Sequence, residues 1–233
     1  MVRRAKSLTS RRAPKTQKSD GSIVEEIIET IKDGVRERRF APGQRLIESD
    51  IRRDVGASRS SVREAMRRLA AENLIDLKHY KGARVRIFTK DEVIGLYQVR
   101  EMLEGLAARL AAQNIGRGRH RARLTALESQ FDRSFDGSPT AYMRYNERFH
   151  ELVVQMSGSD ILIRLVVQLH VPVYTLQFHS LVDPRSVAAA RKQHRAIAKA
   201  ILAGDGAKAE RLMRRHVRDR LSQVLKGFPT YYR

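Results

Sequence analysis

The chain has 233 residues, with 46 lysines and arginines against 26 acidic residues, which gives a formal net charge of +20. Hydrophobic residues make up 42% of the sequence, enough for a packed core and too many for a largely disordered chain. Cysteine is absent, which excludes disulfide scaffolds, thiolate nucleophiles, cysteine-ligated zinc and iron–sulfur clusters. Since no apolar run reaches the ~20 residues of a transmembrane helix, we expect no membrane partner and a cytoplasmic location.

The positive charge favours a polyanionic partner, because each lysine or arginine placed on a phosphate releases condensed counterions; a general solubility charge is the alternative. The charge divides equally, +10 on residues 1–88 and +10 on residues 89–233, so it does not say which part would bind nucleic acid. Residues 1–20 hold seven basic residues and no acid before Asp20. This composition predicts a disordered basic tail, which either follows a phosphate backbone or is simply solvated.

Residues 21–88 show apolar spacing typical of helices, followed by an alternating pattern typical of strands. The predicted elements are a helix that starts at Ser22, helices over 47–55 and 60–73, and strands over 75–78 and 83–87. Ser61 and Glu64 fit a capping box near the start of the third helix. The order helix, helix, turn, helix, hairpin predicts a winged helix-turn-helix DNA-binding domain.

The second helix of such a motif enters the major groove with its N-terminal residues toward the bases. Arg59 and Arg63 lie four residues apart and share one helix face, which Arg67 continues, and guanidinium groups suit guanine O6 and N7 or phosphate. Serine hydroxyls at a helix start suit phosphate, and a Lys-Gly wing tip allows a close approach to a groove. A solvated helix face is the alternative for the arginines. The predicted DNA-contacting residues are Ser58, Arg59, Ser60, Ser61, Arg63, Arg67, Lys81 and Gly82.

Residues 89–228 have no strand pattern and predict a second, all-helical domain of normal size. The predicted helices cover residues 90–115, 119–135, 139–156, 160–181, 185–203 and 207–226. The predicted fold class is therefore mainly α, with an N-terminal winged helix-turn-helix domain followed by a bundle of about six helices.

Three histidines, His150, His194 and His216, lie on the inward apolar stripes of their predicted helices, and Asn146 precedes His150 by one turn on the same face. If the last two helices pair about the turn at 204–206, His194 and His216 each lie roughly 15 Å from it and are level with each other. Neutral imidazole is the commonest metal ligand, so these four residues form a candidate metal site. Buried histidines with ordinary hydrogen bonds are the alternative.

Arg100 occupies an apolar position on the first bundle helix. A buried guanidinium needs an anion, which is either Glu104, one turn later, or a bound carboxylate. Tyr174 and Gln177 share a face of the fourth bundle helix. We assign them, with Arg100, to an effector pocket; an ordinary core or surface role is the alternative for both.

The predicted reading helix lies within a longer pattern. Its sequence is Ser58-Arg59-Ser60-Ser61-Val62-Arg63-Glu64-Ala65-Met66, with Gly43 and Leu46 before it and Leu69, Asn73-Leu74-Ile75, Gly82 and Val85 after it. This pattern resembles the DNA-binding domain of the GntR superfamily of bacterial regulators. The resemblance implies that Arg59, Arg63 and Gly82 meet operator DNA. Many members have proline where Ser61 stands, and some have a base-reading arginine where Ser49 stands.

The helical domain carries a second pattern: Arg100-x-x-Leu103-Glu104, Asn146-x-x-Phe149-His150, His194-x-x-Ile197, Gly204-Asp205 and His216. It resembles the FCD ligand-binding domain of the FadR branch, and six helices resemble the VanR-like group rather than the seven-helix fatty-acyl-CoA sensor. The resemblance implies that an Asp or Asn and three histidines hold a divalent metal, commonly Zn, Ni or Mn. A small organic acid would bind beside it, assisted by an arginine. Asn146 stands where many members have aspartate.

These features predict a transcription regulator, a repressor that binds a palindromic double-stranded operator as a homodimer and sits on the nucleoid when bound. An organic acid effector would shift DNA affinity through differential binding to two arrangements. One alternative is a metal-dependent enzyme fused to a DNA-binding module. Against it, Glu147 and Glu151 point away from the metal-facing stripe and leave no general base. The other alternative is a regulator whose histidine cluster is structural or empty.

Overall fold

The computed structural model describes residues 20–37, 39–78, 82–135, 138–177 and 184–226. The predicted basic tail lies outside these residues except for Asp20, at which the first helix begins. No helix in the described ranges is both long enough and apolar enough to span a bilayer. The described residues form an N-terminal domain of three helices and a small sheet, followed by a purely helical domain.

The N-terminal domain has the predicted order of elements and one additional strand. Its elements are α1 (Asp20–Arg36), β1 (Arg45–Leu46), α2 (Glu48–Val55), α3 (Arg59–Ala71), β2 (Ile75–Lys78) and β3 (Gly82–Val85). The sheet is antiparallel in the order β1-β3-β2. With only two residues, β1 is too short to show the alternation that reveals a strand in a sequence, and the sequence analysis missed it.

Helix α3 begins at Arg59 because Ser58 caps it: the Ser58 hydroxyl accepts a hydrogen bond from the Ser61 backbone N–H at 3.1 Å. The predicted capping box at Ser61 and Glu64 was therefore wrong by one turn. The inward face of α3 carries Val62 and Leu69, both fully buried against the domain core. Because this face packs against the core, the opposite face of α3 is exposed to solvent.

The second domain confirms the predicted six-helix bundle in the described ranges. Its helices are α4 (Lys90–Gln113), α5 (His120–Ser134), α6 (Pro139–Met156), α7 (Asp160–Gln177), α8 (Pro184–Leu202) and α9 (Gly206–Lys226). Helix α4 is central and packs against α6, α7, α8 and α9. Small buried residues such as Ala107, Ala108 and Ala111 let its neighbours approach closely.

The turn between α8 and α9 aligns these two helices. Gly204 has a φ of +74°, the left-handed conformation that glycine adopts without strain. A Cβ on Gly206 would lie 3.1 Å from the Arg109 carbonyl oxygen. Because the turn is this tight, residues at equal distances from it along α8 and α9 lie side by side.

The two domains are joined by a short connection that is itself hydrogen-bonded. The Arg86 guanidinium donates to Asn73 Oδ1 at 2.6 Å, in the winged domain, and to Glu92 Oε1 at 2.9 Å, in the first turn of α4. Thr89 and Glu92 cap α4 reciprocally. Arg86 thus links the end of the winged domain to the start of the bundle.

Candidate functional site

The three predicted histidine ligands converge inside the helical bundle, from α6, α8 and α9. His150, His194 and His216 are 3%, 0% and 1% exposed. One potential ligand atom from each lies within 4.8 Å of those of the other two. The Nε2 atoms of His194 and His216 are 3.1 Å apart, so the two rings are level, as the position of the turn predicts.

Neighbouring side chains determine which nitrogen of two rings carries the proton. His150 Nδ1 donates to Glu104 Oε2 at 2.5 Å, and His216 Nδ1 donates to Gln193 Oε1 at 2.8 Å, because a carboxylate and an amide oxygen can only accept. In the neutral form of either ring, Nε2 is then unprotonated. Such an orienting partner on the far nitrogen is typical of metal-binding histidines.

The contact between His194 and His216 is compatible with two ligands of one metal as well as with a hydrogen bond. His194 Nδ1 is buried and has no hydrogen-bond partner among the described residues in either case, so the distance between the two Nε2 atoms is the relevant observation. Two nitrogens that bind one metal at ~2.1 Å lie about 3.0–3.4 Å apart for octahedral or tetrahedral angles. The observed 3.1 Å lies within that range, so the residues fit a divalent metal.

Burial, together with the charge on neighbouring groups, lowers the pKa of both His194 and His216 well below its usual value. Both rings are therefore neutral at physiological pH, which is the form that binds metals. Asn146, the fourth predicted ligand, is 7% exposed and lies one turn before His150 on α6.

Arg100 is paired with Glu104, the protein partner weighed in the sequence analysis. Arg100 Nε donates to Glu104 Oε1 at 2.8 Å, and the two side chains are 5% and 1% exposed. Because the other oxygen of Glu104 holds His150, one carboxylate links the guanidinium to the histidine cluster. Arg100 Nη1 has no hydrogen-bond partner within the described ranges, and the guanidinium carbon lies 4.9 Å from the centroid of the Tyr97 ring.

Sequence reasoning missed Gln193 and Arg220. Gln193 directly precedes His194 but holds His216 instead. Arg220 follows His216 by one turn of α9 and is 6% exposed. Its spacing of four from a predicted ligand is a signal that could have revealed it. The predicted pocket residues Tyr174 and Gln177 belong to α7, but their side chains lie outside what the structure describes.

The predicted DNA-contacting arginines share the exposed face of α3. The side chains of Arg59, Arg63 and Arg67 are 72%, 64% and 70% exposed. Glu48 of α2 lies 3.9 Å from the Nε atoms of both Arg59 and Arg63, too far to commit either guanidinium. Arg59 and Arg63 therefore remain available to an anionic partner, whereas Arg67 Nη2 pairs with Glu64 Oε2 at 3.1 Å on the same helix.

Serines at the start of α3 divide into two groups. Ser58 and Ser60 are exposed, whereas Ser61 is only 6% exposed and its hydroxyl lies 2.8 Å from the Ser58 hydroxyl. Ser61 therefore supports the helix cap and does not reach the surface predicted for it. Gly82 is exposed, with a φ of +76°, while Lys81 lies outside the described residues.

A groove between α2, α3 and the β-hairpin extends the basic surface beyond the predicted residues. Arg45 of β1 and Arg52 of α2 line it together with the three α3 arginines. Glu48 is the only acid among the described residues of the groove. Arg45 was missed because it belongs to the strand that the sequence analysis did not predict. A groove of this charge suits a phosphate backbone.

Comparisons with known proteins match both domains. The GntR family of bacterial regulatory proteins matches residues 23–85, and the FCD domain matches residues 95–219. The chain is 29% identical over 210 residues to the "Probable D-xylose utilization operon transcriptional repressor" of Paenarthrobacter nicotinovorans, which covers 90% of this chain and 89% of that protein.

Solved structures give the same architecture. Escherichia coli McbR/YncC has a TM-score of 0.79 at 20% identity, covering 88% of this chain and 98% of that one. The metal-free FCD domain of another regulator has a TM-score of 0.51 at 17% identity, covering 62% of this chain and 99% of that one. At these identities the likeness shows the fold.

Proposed function

We propose a specific role for this chain, which belongs to the GntR family of bacterial regulatory proteins, carries an FCD domain and is a transcriptional regulator rather than an enzyme. It binds a palindromic operator as a homodimer and represses transcription from the bacterial nucleoid until an organic acid binds beside a divalent metal. The observation that carries this proposal is the buried histidine cluster, which lies in the domain without the DNA-reading helix. A relative named as a repressor supports the sign of regulation.

In this proposal the exposed face of α3 contacts the operator bases. Its N-terminal turn presents Arg59 and Arg63 side by side, and a guanidinium can donate two hydrogen bonds to guanine O6 and N7. The arginines of the groove, Arg45 and Arg52, supply contacts to the phosphate backbone that hold the helix in register.

Alanine at Arg59 or Arg63 should each reduce discrimination between operator and random DNA by about 1–3 kcal/mol, because a bidentate base contact is lost. Fluorescence anisotropy at fixed salt measures this, with an operator selected from random duplexes. The control is Arg68→Ala: Arg68 is on the same helix but pairs with Glu25 at 2.8 Å, and its replacement should leave discrimination unchanged. Equal weakening on every sequence would contradict base reading.

In the helical domain, the nitrogen and oxygen donors of Asn146, His150, His194 and His216 would hold the metal. A bound divalent metal supplies a Lewis-acid site for a carboxylate. The protein's part is to keep the donors ready: Glu104 holds the proton of His150 at Nδ1, Gln193 does the same for His216, and burial lowers the pKa of His194 and His216, which keeps these two rings neutral. The Arg100 guanidinium, through Nη1, is the proposed partner of the effector carboxylate.

Dimer formation would use an exposed apolar face of α4. Val99, Met102 and Leu106 are 50%, 55% and 42% exposed, and their spacing of three and four places them on one side of the helix. A second copy of the chain is the proposed occupant, because a twofold dimer matches the symmetry of a palindromic operator.

Met102→Glu should weaken the dimer by tenfold or more, since it places a charge in an apolar contact. Sedimentation velocity over a range of protein concentrations measures the change. The control is Thr125→Glu, at an exposed position of α5 away from this face, which should leave the dimer intact. If Met102→Glu remains a dimer at every concentration, this face of α4 is not the interface.

A further inference from the structure

Arg220 is a buried guanidinium for which the described residues supply no ion-pair partner. Its side chain is in α9, one turn after His216, and only 6% of the residue is exposed. Two of its nitrogens, Nε and Nη1, are buried and have no hydrogen-bond partner in the described part of the chain. A buried cation in this state costs several kcal/mol by general estimates, so its retention needs a reason.

The surroundings of Arg220 coincide with the histidine cluster. Arg220 follows His216 by four residues and shares its face of α9, and the ring of Tyr142 stacks on that of His194 with centroids 6.3 Å apart. The Tyr142 hydroxyl is also buried without a partner among the described residues, as is Nδ1 of His194. Several unpaired polar atoms thus surround the same site from α6, α8 and α9.

The buried charges do not balance. Arg100, Glu104 and Arg220 are the buried arginine and carboxylate side chains of the described ranges, and Arg100 and Glu104 neutralise each other in a direct pair. Arg220 leaves one positive charge in excess, and a divalent metal would add two more. A monocarboxylate would neutralise one of these positive charges, whereas a dicarboxylate would neutralise two of them.

We infer that Arg220 is a second anion anchor and that the effector of this regulator is a dicarboxylate. One carboxylate binds at the histidine cluster and Arg100, and the other accepts hydrogen bonds from Nε and Nη1 of Arg220. The Tyr142 hydroxyl is a further donor beside it. This inference rests on the proposed function for the existence of an effector, and goes beyond it in naming the chemical class.

The test is isothermal titration of the full chain, saturated with Zn²⁺, with acids paired by length. Malonate, succinate, glutarate and malate are compared with propionate, butyrate, valerate and 2-hydroxybutyrate. At least one dicarboxylate should bind about tenfold or more tightly than its partner, as expected for charge-assisted hydrogen bonds. In Arg220→Gln that ratio should fall close to one while monocarboxylate affinity stays the same, and Arg220→Lys should keep part of the preference.

Thermal unfolding without ligand provides an independent readout. Removing an unpaired buried charge should leave Arg220→Gln as stable as the parent or more stable, whereas a structural arginine would give a less stable variant. The inference is overturned if no dicarboxylate binds more tightly than its paired acid, or if Arg220→Gln keeps the preference. Repeating the titration in chelator separates the two proposals: a preference that survives there shows that the effector does not need the metal, against the proposed function, but leaves the anchor standing.

Discussion

Replacing Glu104 with alanine is expected to lower the free energy of unfolding by about 3–5 kcal/mol, because it leaves a buried cation without its partner. Glu104 is 1% exposed, pairs with Arg100 through Oε1 and holds His150 through Oε2. The variant would therefore lose both the charge balance of α4 and the orientation of one histidine. Urea unfolding followed by far-UV circular dichroism, at fixed protein concentration, measures the loss.

The control is an exposed pair of the same type in the same domain. Arg109 and Glu210 lie 3.7 Å apart, with side chains 54% and 27% exposed, and Glu210→Ala should cost no more than about 1 kcal/mol. The double variant Arg100→Met with Glu104→Leu should recover much of the lost stability, since it removes both buried charges. Equal effects of Glu104→Ala and Glu210→Ala would show that the buried pair has no special importance.

Removing the metal is the second large effect that we expect. A ligand that binds only the folded state at 100 to 1,000 times its Kd adds about 3–4 kcal/mol of stability, so chelator should lower the Tm of protein purified without a nickel column. His194→Ala should abolish this chelator effect. His120→Ala is the matched control, because His120 binds the Asn114 carbonyl at 3.0 Å outside the cluster.

Elemental analysis completes that test. Less than about 0.2 metal per chain, with a Tm unchanged by chelator, would contradict the metal site. It would favour the second candidate, a regulator with a structural histidine cluster, for which one observation already exists: the ring of His194 stacks on Phe149 with centroids 4.3 Å apart. In that case operator binding by α3 would be unaffected.

The fold was predictable because local signals were strong and consistent. The helices of the bundle are separated by glycine and proline, and their apolar stripes repeat at helical spacing, so the bounds agree with the structure to within a few residues. The start of α3 was predicted wrongly because Ser61 and Glu64 match a capping box, whereas the actual cap, Ser58, has a serine rather than a glutamate three residues later. Only the hydrogen bond of Ser58 to the Ser61 N–H decides between them.

The site was only partly predictable. The side of the helix that each histidine occupies follows from apolar spacing. The side-by-side position of His194 and His216 follows from their equal distance from the turn between their helices. The partners of these side chains do not follow, because they come from other helices: Glu104 reaches His150 from α4, and Gln193 reaches across to His216. The excess charge of Arg220 also required the packed structure, since the sequence does not show which cations are buried.

Because Arg86 hydrogen-bonds to both domains, a change in the tilt of α4 would be passed to the winged domain. The helix extends without a break from the winged domain to Arg100 and Glu104, and its first residue lies ~15 Å along the axis from Arg100. A tilt of about 10° around the effector end would therefore shift the start of the helix by nearly 3 Å at that radius. Arg86 would transmit this shift to the winged domain, and in a twofold dimer the two reading helices would move in opposite directions. Operator half-sites have a fixed separation. A displacement of this size would therefore prevent the two reading helices from fitting their half-sites at the same time.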